Sequence, residues 1–300
     1  MLDRWIAVMI AAVVVCGPGD SGKQRPVIQE VQEIVAVLAP LPRCAPTGDW
    51  ITTKALPPLK SEGSPSVEFI LPGPGAQWTE GAQQTLVWHW SGAIRKVRIS
   101  YEYDLCKLGS HSRGHKSGMI ADGIANRGYT TWTVPWLDAP RFVVRLAGYD
   151  GAGNRVATCE RVVEFRPKEA SKLKGTFIVV LRERQRLFFF RDDQVVRMHL
   201  VSTGRRGFST PQMLPELPGW GITMGKVFNK MTCAWSRAYN CPMPWWMAVT
   251  SSGMIGLHAT TPSAYRHLGS VASHGCIRQH GEDARELYKL VQIGTPVYVF

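Results

Sequence analysis

One cysteine and two histidines are the residues of this 300-residue chain whose types and spacing best suit chemistry. Cys276 lies in the block SHGCIR with His274 two positions before it, and His258 lies eighteen residues upstream in the block GLHAT. A cysteine attacks a carbonyl as the thiolate, so it needs a neighbouring base or cation. A histidine can take the thiol proton and later give it to a leaving amine. Cys276 and His258 are therefore a candidate nucleophile and base.

Other roles for Cys276 stay open when residue chemistry alone is considered. A lone cysteine in an exported chain is often half of a disulfide, and a cysteine near two histidines can bind a metal. The spacing fits no common zinc pattern and a third ligand is missing, so no metal is expected. Gly275 lets the backbone come close to a ligand, and a helix that begins near Cys276 would offer N–H groups to a thiolate or an oxyanion.

The first residues predict export. A short polar head with Arg4 precedes an apolar run from Trp5 to Cys16, which suits a signal-peptide core and is short for a membrane span. Residues 1–19 are interpreted as a signal peptide, or as a lipoprotein-like signal ending at Cys16. The expected location is the periplasm or cell envelope, with membrane attachment only through a retained N-terminal anchor.

Cysteine usage and charge agree with an exported protein. Seven cysteines can pair in an oxidising compartment, and chain position suggests the disulfides Cys106–Cys159 and Cys233–Cys241. Cys44 and Cys276 are left without a partner in their own neighbourhoods, and sequence does not prove connectivity. The formal net charge of +12 favours a polyanionic neighbour such as nucleic acid, anionic lipid or an anionic cell wall.

Three sections follow the signal. Residues 20–65 are rich in Pro, Gly and Ser and predict a tether. Residues 66–166 contain six short β-type runs separated by turns, which resemble an immunoglobulin-like or fibronectin-type β-sandwich. The segment 107–118 is interpreted as an exposed loop. Residues 175–300 predict further strands, a long irregular stretch over 203–244, a helix within 281–294 and a last strand. The fold class is mainly β.

Four separated blocks in the third section resemble the L,D-transpeptidase catalytic domain, the YkuD-like family. Fourteen residues separate His258 from Ser273, where the block SHGCIR begins. Upstream of GLHAT lie VSTG with STP and then NCPMPWWM, and downstream of SHGCIR lies DARELYKLVQIGTPVYV. One block departs from the family pattern, because TPQM followed by LPELPGWG stands where the family commonly has Thr-Pro-x-Gly.

The resemblance implies a role for each matching residue. Cys276 matches the acyl-accepting nucleophile and His258 the general base, whose ring the backbone carbonyl of Ala259 would orient. Arg278 matches a substrate-binding position, where a guanidinium suits a carboxylate. The remaining matches are Ser273, His274 and Gly275, which would shape the site and its oxyanion-binding region. Trp245, Trp246 and Met247 match a substrate-binding wall, and the alternative is that they belong to the hydrophobic core.

The implied reaction is acyl transfer on peptidoglycan without a metal or organic cofactor. Cys276 would attack the third residue of a stem tetrapeptide, release the terminal D-alanine and pass the acyl group to an amine, forming a 3→3 crosslink. Attack by water would make an L,D-carboxypeptidase, and attack by a protein amine would make a wall-anchoring enzyme. The partners implied are peptidoglycan stem peptides and anionic wall polymers, not nucleic acid. A non-catalytic wall-binding protein and a secreted cysteine peptidase are the alternatives from other classes.

Overall fold

The computed structural model describes residues 63–105, 114–214 and 224–300, all of which belong to one compact unit of the chain. The predicted signal, residues 20–62 of the predicted tether, Cys44 and Cys106 lie outside these residues. The described part is mainly β, as expected. No helix in these three ranges is long and apolar enough to cross a membrane.

Eight strands form two sheets in residues 66–166. They are β1 (Ser66–Leu71), β2 (Gln77–Thr79), β3 (Gln83–Ser91), β4 (Lys96–Asp104), β5 (His115–Ala125), β6 (Tyr129–Thr133), β7 (Arg141–Tyr149) and β8 (Arg155–Arg166). One sheet has the order β1-β3-β6 and the other has the order β2-β8-β7-β4-β5. Inward side chains of both sheets, among them Trp88 and Phe142, belong to one buried cluster. The immunoglobulin-like character of this part stays a prediction.

The six strand predictions for this part are confirmed, but the sequence does not predict β2 or β5. β5 covers His115–Ala125, so the interpretation of segment 107–118 as a loop is wrong for its last residues. The reason is local. β5 is an edge strand with mostly exposed side chains, and Gly118 and Gly123 interrupt it, so it lacks the alternation of a half-buried strand.

The third section forms one eight-stranded sheet. Its strands are β9 (Phe177–Leu181), β10 (Arg186–Arg191), β11 (Gln194–Ser202), β12 (Met224–Ser236), β13 (Cys241–Thr250), β14 (Gly256–Ala259), β15 (Ile277–Gln279) and β16 (Val297–Val299). The order in the sheet is β12-β13-β14-β15-β11-β10-β9-β16. The one α-helix in the described ranges, α1 (Gly281–Leu290), lies where a helix is predicted, and 3-10 turns cover Lys168–Ala170 and Pro262–His267.

Strands β9 and β10 are apolar on both faces because both faces are buried. Val179 and Phe188 pack into the cluster shared with the N-terminal sheets, whereas Val180 and Phe189 pack into a second cluster that includes Leu287 of α1. A strand buried on both sides reads as a continuous apolar run rather than an alternating one. This explains the sequences FIVVL and RLFFF, and it shows that residues before and after position 170 share one core.

Polar contacts reinforce this shared core. Trp136 packs edge-on against Phe188 with ring centroids 6.1 Å apart. Arg186 of β10 donates two hydrogen bonds of 2.6 Å to the carboxylate of Asp138. A bidentate pair of this kind fixes orientation as well as adding energy. The N-terminal sheets are therefore packed directly against the sheet that carries Cys276.

The stretch 203–244 is less irregular than the sequence predicts, because much of it is the β12–β13 hairpin. Pro242 and Pro244 lie inside β13, where prolines normally argue against a strand. They are tolerated because β14 pairs with β13 only at Met247 and Ala248, so the proline segment has β12 on one side and no ladder on the other.

The predicted disulfide Cys233–Cys241 is not formed, and both thiols are free. Cys233 lies opposite Pro244 and Cys241 lies opposite Ser236, so the two cysteines are three register positions apart on neighbouring strands. That offset is about 10 Å along the strand, beyond the Cα separation that a disulfide can bridge. Closeness in sequence across a hairpin does not ensure the correct register. Cys159 is free as well, and its predicted partner is outside the described residues.

Candidate active site

The parallel pair β14 and β15 brings the candidate nucleophile and base together. Leu257 pairs with Ile277 and His258 pairs with Arg278. Because side chains alternate along a strand, His258 and Arg278 share one face with Cys276, which immediately precedes β15. The alternate residues, Leu257 and Ile277, belong to the core cluster under α1, on the other face.

The spacing between His258 and Cys276 follows from this topology. Two parallel neighbouring strands cannot be joined by a tight turn and need a crossover of a dozen or more residues. Here the crossover contains the 3-10 turn Pro262–His267 and a loop that returns to the start of β15. Eighteen residues in sequence therefore become adjacent positions in the sheet.

The thiol of Cys276 is protonated at rest. Its pKa is raised because burial disfavours the thiolate, while the Gly256 N–H and the charge of Arg278 partly oppose this effect. Its sulfur lies 3.9 Å from the carbonyl oxygen of Met254, the distance of a weak S–H donor contact. Such a cysteine is not a preformed thiolate, so a base must remove its proton before attack.

His258 has the protonation state of a base. Its Nδ1 lies 2.8 Å from the carbonyl oxygen of Ala259, and a carbonyl only accepts, so Nδ1 carries the hydrogen and Nε2 has the lone pair. This is the contact that the family resemblance implies for Ala259. Burial, together with the charge of Arg278, lowers the pKa of His258 to about 4, although the hydrogen bond to Ala259 opposes the shift. The ring is therefore neutral at pH 7.

Cys276 and His258 share a face without a direct hydrogen bond in the described structure. Their positions are diagonal across the β14–β15 pair, since Arg278 and not Cys276 lies opposite His258. Catalytic hydrogen bonds are often long in a free enzyme and tighten when substrate binds. The roles of base and nucleophile stay predictions.

Two buried histidines make stability dependent on pH. Burial lowers the pKa of His199 as well as that of His258 from 6.5 to about 4. Between those values the unfolded chain binds protons that the folded protein does not, so the free energy of unfolding falls as pH falls from 6.5 towards 4. The loss approaches about 3 kcal/mol per ring below pH 4.

Urea unfolding at pH 7 and at pH 4.5 measures this loss. We expect His199→Asn, which removes one titrating ring, to be less stable than wild type at pH 7 but to lose less on acidification. His199 is hydrogen-bonded to Gln279 at 2.9 Å, so the substitution lowers the free energy of unfolding by disturbing this contact. That loss is the same at both pH values and cancels in the difference between them. An unchanged pH difference in the variant would contradict the assignment.

The predicted wall of Trp245, Trp246 and Met247 is divided by strand alternation. The Trp246 ring lies 5.9 Å from the ring of His258, and it packs so closely over Gly256 that a Cβ there would lie 2.6 Å from it. Met247 is fully buried in the core on the other face. Its assignment as a substrate-binding residue is therefore wrong.

Trp245 also lies away from the thiol, because its ring packs 5.5 Å from Tyr288 of α1. Within the wall block, only Trp246 contacts the predicted base. Because just 4% of Trp246 is exposed, its observed contact is with His258 and not with solvent, and its substrate-binding role stays a prediction.

The turn before Cys276 is fixed by a network of short hydrogen bonds. Ser273 Oγ donates to the carbonyl oxygen of Cys276 at 2.5 Å and accepts from the Gly275 N–H at 3.1 Å. Thr210 Oγ donates to the Gly275 carbonyl oxygen at 2.8 Å and accepts from the Gly204 N–H at 2.9 Å. Gly275 has φ +112°, a conformation that side chains rarely adopt. Its N–H is occupied by Ser273 and is not free for an oxyanion here.

The start of a helix does not face Cys276. Strand β15 separates Cys276 from α1, whose N-cap is His280. The N–H of Gly256, on the neighbouring strand, is instead the backbone donor that favours the thiolate. The expectation that a helix N-terminus stabilises the sulfur is therefore wrong, because three residues of strand follow Cys276 before the helix begins.

His274 contacts residues of two loops. Arg205 Nη2 lies 2.8 Å from His274 Nε2, the ring of Tyr239 stacks on His274 at 4.4 Å, and Phe208 meets it edge-on at 4.7 Å. The sequence does not identify either Arg205 or Thr210 as a site residue, although Arg205 directly follows the block VSTG and Thr210 lies within the block STP. Tyr239, in the β12–β13 turn, gave no signal.

No group of three His, Cys, Asp or Glu side chains in the described ranges could hold a metal ion. The site is thus defined by a partly buried thiol, a neutral buried imidazole and a guanidinium on one face of a β-rich domain. These groups are suited to acyl transfer through a cysteine.

Comparison with known proteins agrees with this class. Residues 175–299 match the family described as YkuD, L,D-transpeptidase catalytic domain. This part of the chain is an L,D-transpeptidase catalytic domain of the YkuD family. No curated protein matches the chain.

Solved structures of L,D-transpeptidases are similar to it. One from Stackebrandtia nassauensis is 29% identical over 43% of this chain and 56% of its own, with a TM-score of 0.35. LdtMt1, in complex with imipenem, is 18% identical over 79% and 99%, with a TM-score of 0.37. The catalytic domain of the E. faecium enzyme is 25% identical over 43% and 100%, with a TM-score of 0.34. Since these scores are below 0.5, the assignment depends on the family match.

Proposed function

We propose that the protein is a cysteine-dependent peptidoglycan L,D-transpeptidase that forms 3→3 crosslinks. The observation that carries the proposal is the parallel pairing of β14 with β15, which puts His258 and Arg278 on the same face as Cys276. The hydrogen bond from His258 Nδ1 to Ala259 supports the role of Nε2 as the proton acceptor. The family match of residues 175–299 supports the substrate class.

In the first half of the proposed reaction, His258 Nε2 takes the proton of the Cys276 thiol. The sulfur bonds to the carbonyl carbon of the third stem residue, and the carbonyl π electrons move to its oxygen. Collapse of this tetrahedral species breaks the bond to the terminal D-alanine, whose amine receives the proton from His258. The acyl group remains on Cys276 as a thioester.

In the second half, an amine of another stem peptide attacks the thioester carbon. His258 removes a proton from that amine, and the thiolate leaves and is reprotonated. The neutral state of His258 at pH 7, which follows from its lowered pKa, suits both proton removals. No metal is needed for either half.

The N-terminal residues complete the proposal. An apolar run from Trp5 to Cys16 supports export to the periplasm or cell envelope, either with cleavage of the signal or with lipidation at Cys16. The net charge of +12 supports contact with anionic wall polymers in addition to the stem peptides. The Pro-rich residues 20–65 would then hold the folded part away from the membrane.

The test is muropeptide analysis after incubation with sacculi that contain tetrapeptide stems. We expect 3→3 crosslinked dimers from the wild type and none from Cys276→Ala. Tripeptides alone would assign the site to an L,D-carboxypeptidase, and protein-linked muropeptides would indicate wall anchoring. Unchanged sacculi from a folded wild type that also forms no adduct with a carbapenem would favour a binding protein.

A further inference from the structure

The β12–β13 hairpin bends back over the strand end that carries Cys276. Within the described ranges, β13 pairs with β14 only at Met247 and Ala248. Cys241 is six residues before Met247, so a straight strand would place it about 20 Å from that pairing. Trp245, between them, has φ +57°, a conformation that a bulky residue rarely adopts and that breaks the regular course of a strand. The segment before Trp245 can therefore leave the plane of the sheet.

Two contacts define the path of that segment. The ring of Tyr239 stacks on the ring of His274 with centroids 4.4 Å apart. Met243 and Cys276 pack against the same small apolar cluster. Cys241 lies midway in sequence between Tyr239 and Met243, and Cys276 follows His274 by two residues. The segment that contains Cys241 therefore lies alongside the turn that carries Cys276.

The thiol of Cys241 is within electrostatic reach of Cys276. Burial raises the pKa of Cys276 most, and a negative charge on Cys241 raises it further, while the Gly256 N–H and Arg278 oppose both effects. A charge on one sulfur therefore acts on the other, as expected for neighbouring groups. The two sulfurs are not bonded, since both cysteines are free thiols. The proposed acyl transfer uses Cys276 alone and gives Cys241 no role.

We propose that Cys241 is a resolving cysteine, which forms a reversible disulfide with Cys276 when a peroxide oxidises the Cys276 sulfur. The Cys276 thiolate attacks one oxygen of hydrogen peroxide and becomes a sulfenic acid, and the other oxygen takes a proton and leaves as water. The Cys241 thiolate then attacks the sulfur of the sulfenic acid, the S–O bond breaks and a second water leaves. Two thiols and one hydrogen peroxide thus give one disulfide and two waters.

The disulfide protects the sulfur of Cys276 from permanent oxidation. Excess peroxide converts a sulfenic acid without a resolving thiol to sulfinic and sulfonic acids, which are irreversible. A disulfide stops this sequence at a step that a dithiol reductant reverses. Closing the bond requires the two Cα atoms to approach within about 7 Å. The hairpin can adjust to this, because side-chain contacts and not a ladder to β14 hold its tip over the turn.

Peptide mapping by mass spectrometry after treatment of the full chain with hydrogen peroxide tests the proposal. In the wild type we expect a linked peptide that joins Cys241 to Cys276, together with loss of alkylation at Cys276. Dithiothreitol should reverse both. In Cys241→Ser, the same treatment should convert Cys276 to the sulfinic or sulfonic acid, and dithiothreitol should not restore its alkylation.

Cys233→Ser is the matched control. Cys233 is on the same hairpin and is exposed, but its sulfur contacts the carbonyl oxygen of Ala234 at 3.7 Å. This variant should form the linked peptide and recover its alkylation as the wild type does. If Cys233→Ser lost the recovery and Cys241→Ser kept it, the assignment of the resolving cysteine would be wrong.

Three results with the wild type would overturn the inference. They are the absence of the linked peptide after oxidation, a disulfide between Cys276 and a cysteine other than Cys241, and irreversible oxidation of Cys276 at the same rate as in Cys241→Ser. The mapping needs no substrate, so it is independent of the proposed function. A reduced protein that alkylates fully at Cys276 and leaves sacculi unchanged would count against the proposed function and not against the disulfide.

Discussion

Replacing Cys276 with alanine should abolish both covalent labelling by a carbapenem and turnover of a tetrapeptide donor. The reason is that the proposed reaction carries the acyl group on this sulfur, and loss of a covalent nucleophile typically removes almost all catalysis beyond binding. We expect turnover to fall by at least about 10⁴-fold. Intact-protein mass spectrometry measures the adduct, and D-alanine release measures turnover.

The other free thiols provide controls for this experiment. Cys233 is exposed and Cys241 is partly buried, and both lie on the β12–β13 hairpin. Alanine at either position should leave the carbapenem adduct at one per chain. If the adduct persisted in Cys276→Ala and disappeared in one of these variants, the assignment of Cys276 as the nucleophile would be wrong.

Replacing His258 with alanine should lower kcat/KM by about 10²- to 10⁴-fold, the range typical for loss of a general base. The thiol of Cys276 has a raised pKa, so without His258 its reaction should require a higher pH. We therefore expect the acid side of the pH–rate profile to move to higher pH and alkylation of Cys276 at pH 7 to slow. A purely structural role for His258 would lower activity without moving the profile.

His267→Ala is the matched control, since His267 is exposed and lies on the same crossover between β14 and β15. It should leave both the rate and the pH profile unchanged. A His258→Ala variant within tenfold of wild type, with the same pH profile, would contradict the assignment of the base. In that case, His274 would be the next histidine to examine, because it is two residues from Cys276.

The adjacency of His258 and Cys276 is easier to predict from the sequence than the structure around them, for a physical reason. A parallel strand pair requires a long crossover, so the spacing from His258 to Cys276 can be interpreted from the sequence alone. The helix α1 is also predictable, since its apolar face and the Gly294 that follows are local signals. Both features depend on short stretches of chain.

Features that depend on strand register and orientation are not predicted. The pairing of Cys233 with Cys241 fails because sequence does not give hairpin register. The prediction of a substrate-binding wall fails for Met247, because side chains alternate along β13 and put Trp246 and Met247 on opposite faces. This alternation follows from the period of a strand once a strand is assigned there. Prolines make the first part of β13 difficult to predict as a strand. They are tolerated because this part pairs with β12 on one side and has no ladder on the other.

The core shared by the N-terminal sheets and the catalytic sheet has a mechanical consequence. Trp136 packs on Phe188, and Asp138 holds Arg186, so the two parts are expected to turn and unfold as one body. A fragment that begins at residue 175 would expose Phe188 and Val179 to water. The N-terminal sheets would then be a rigid extension of the catalytic sheet rather than a flexible spacer. A molecule that binds near Ser66 would therefore constrain the orientation of the thiol relative to its substrate.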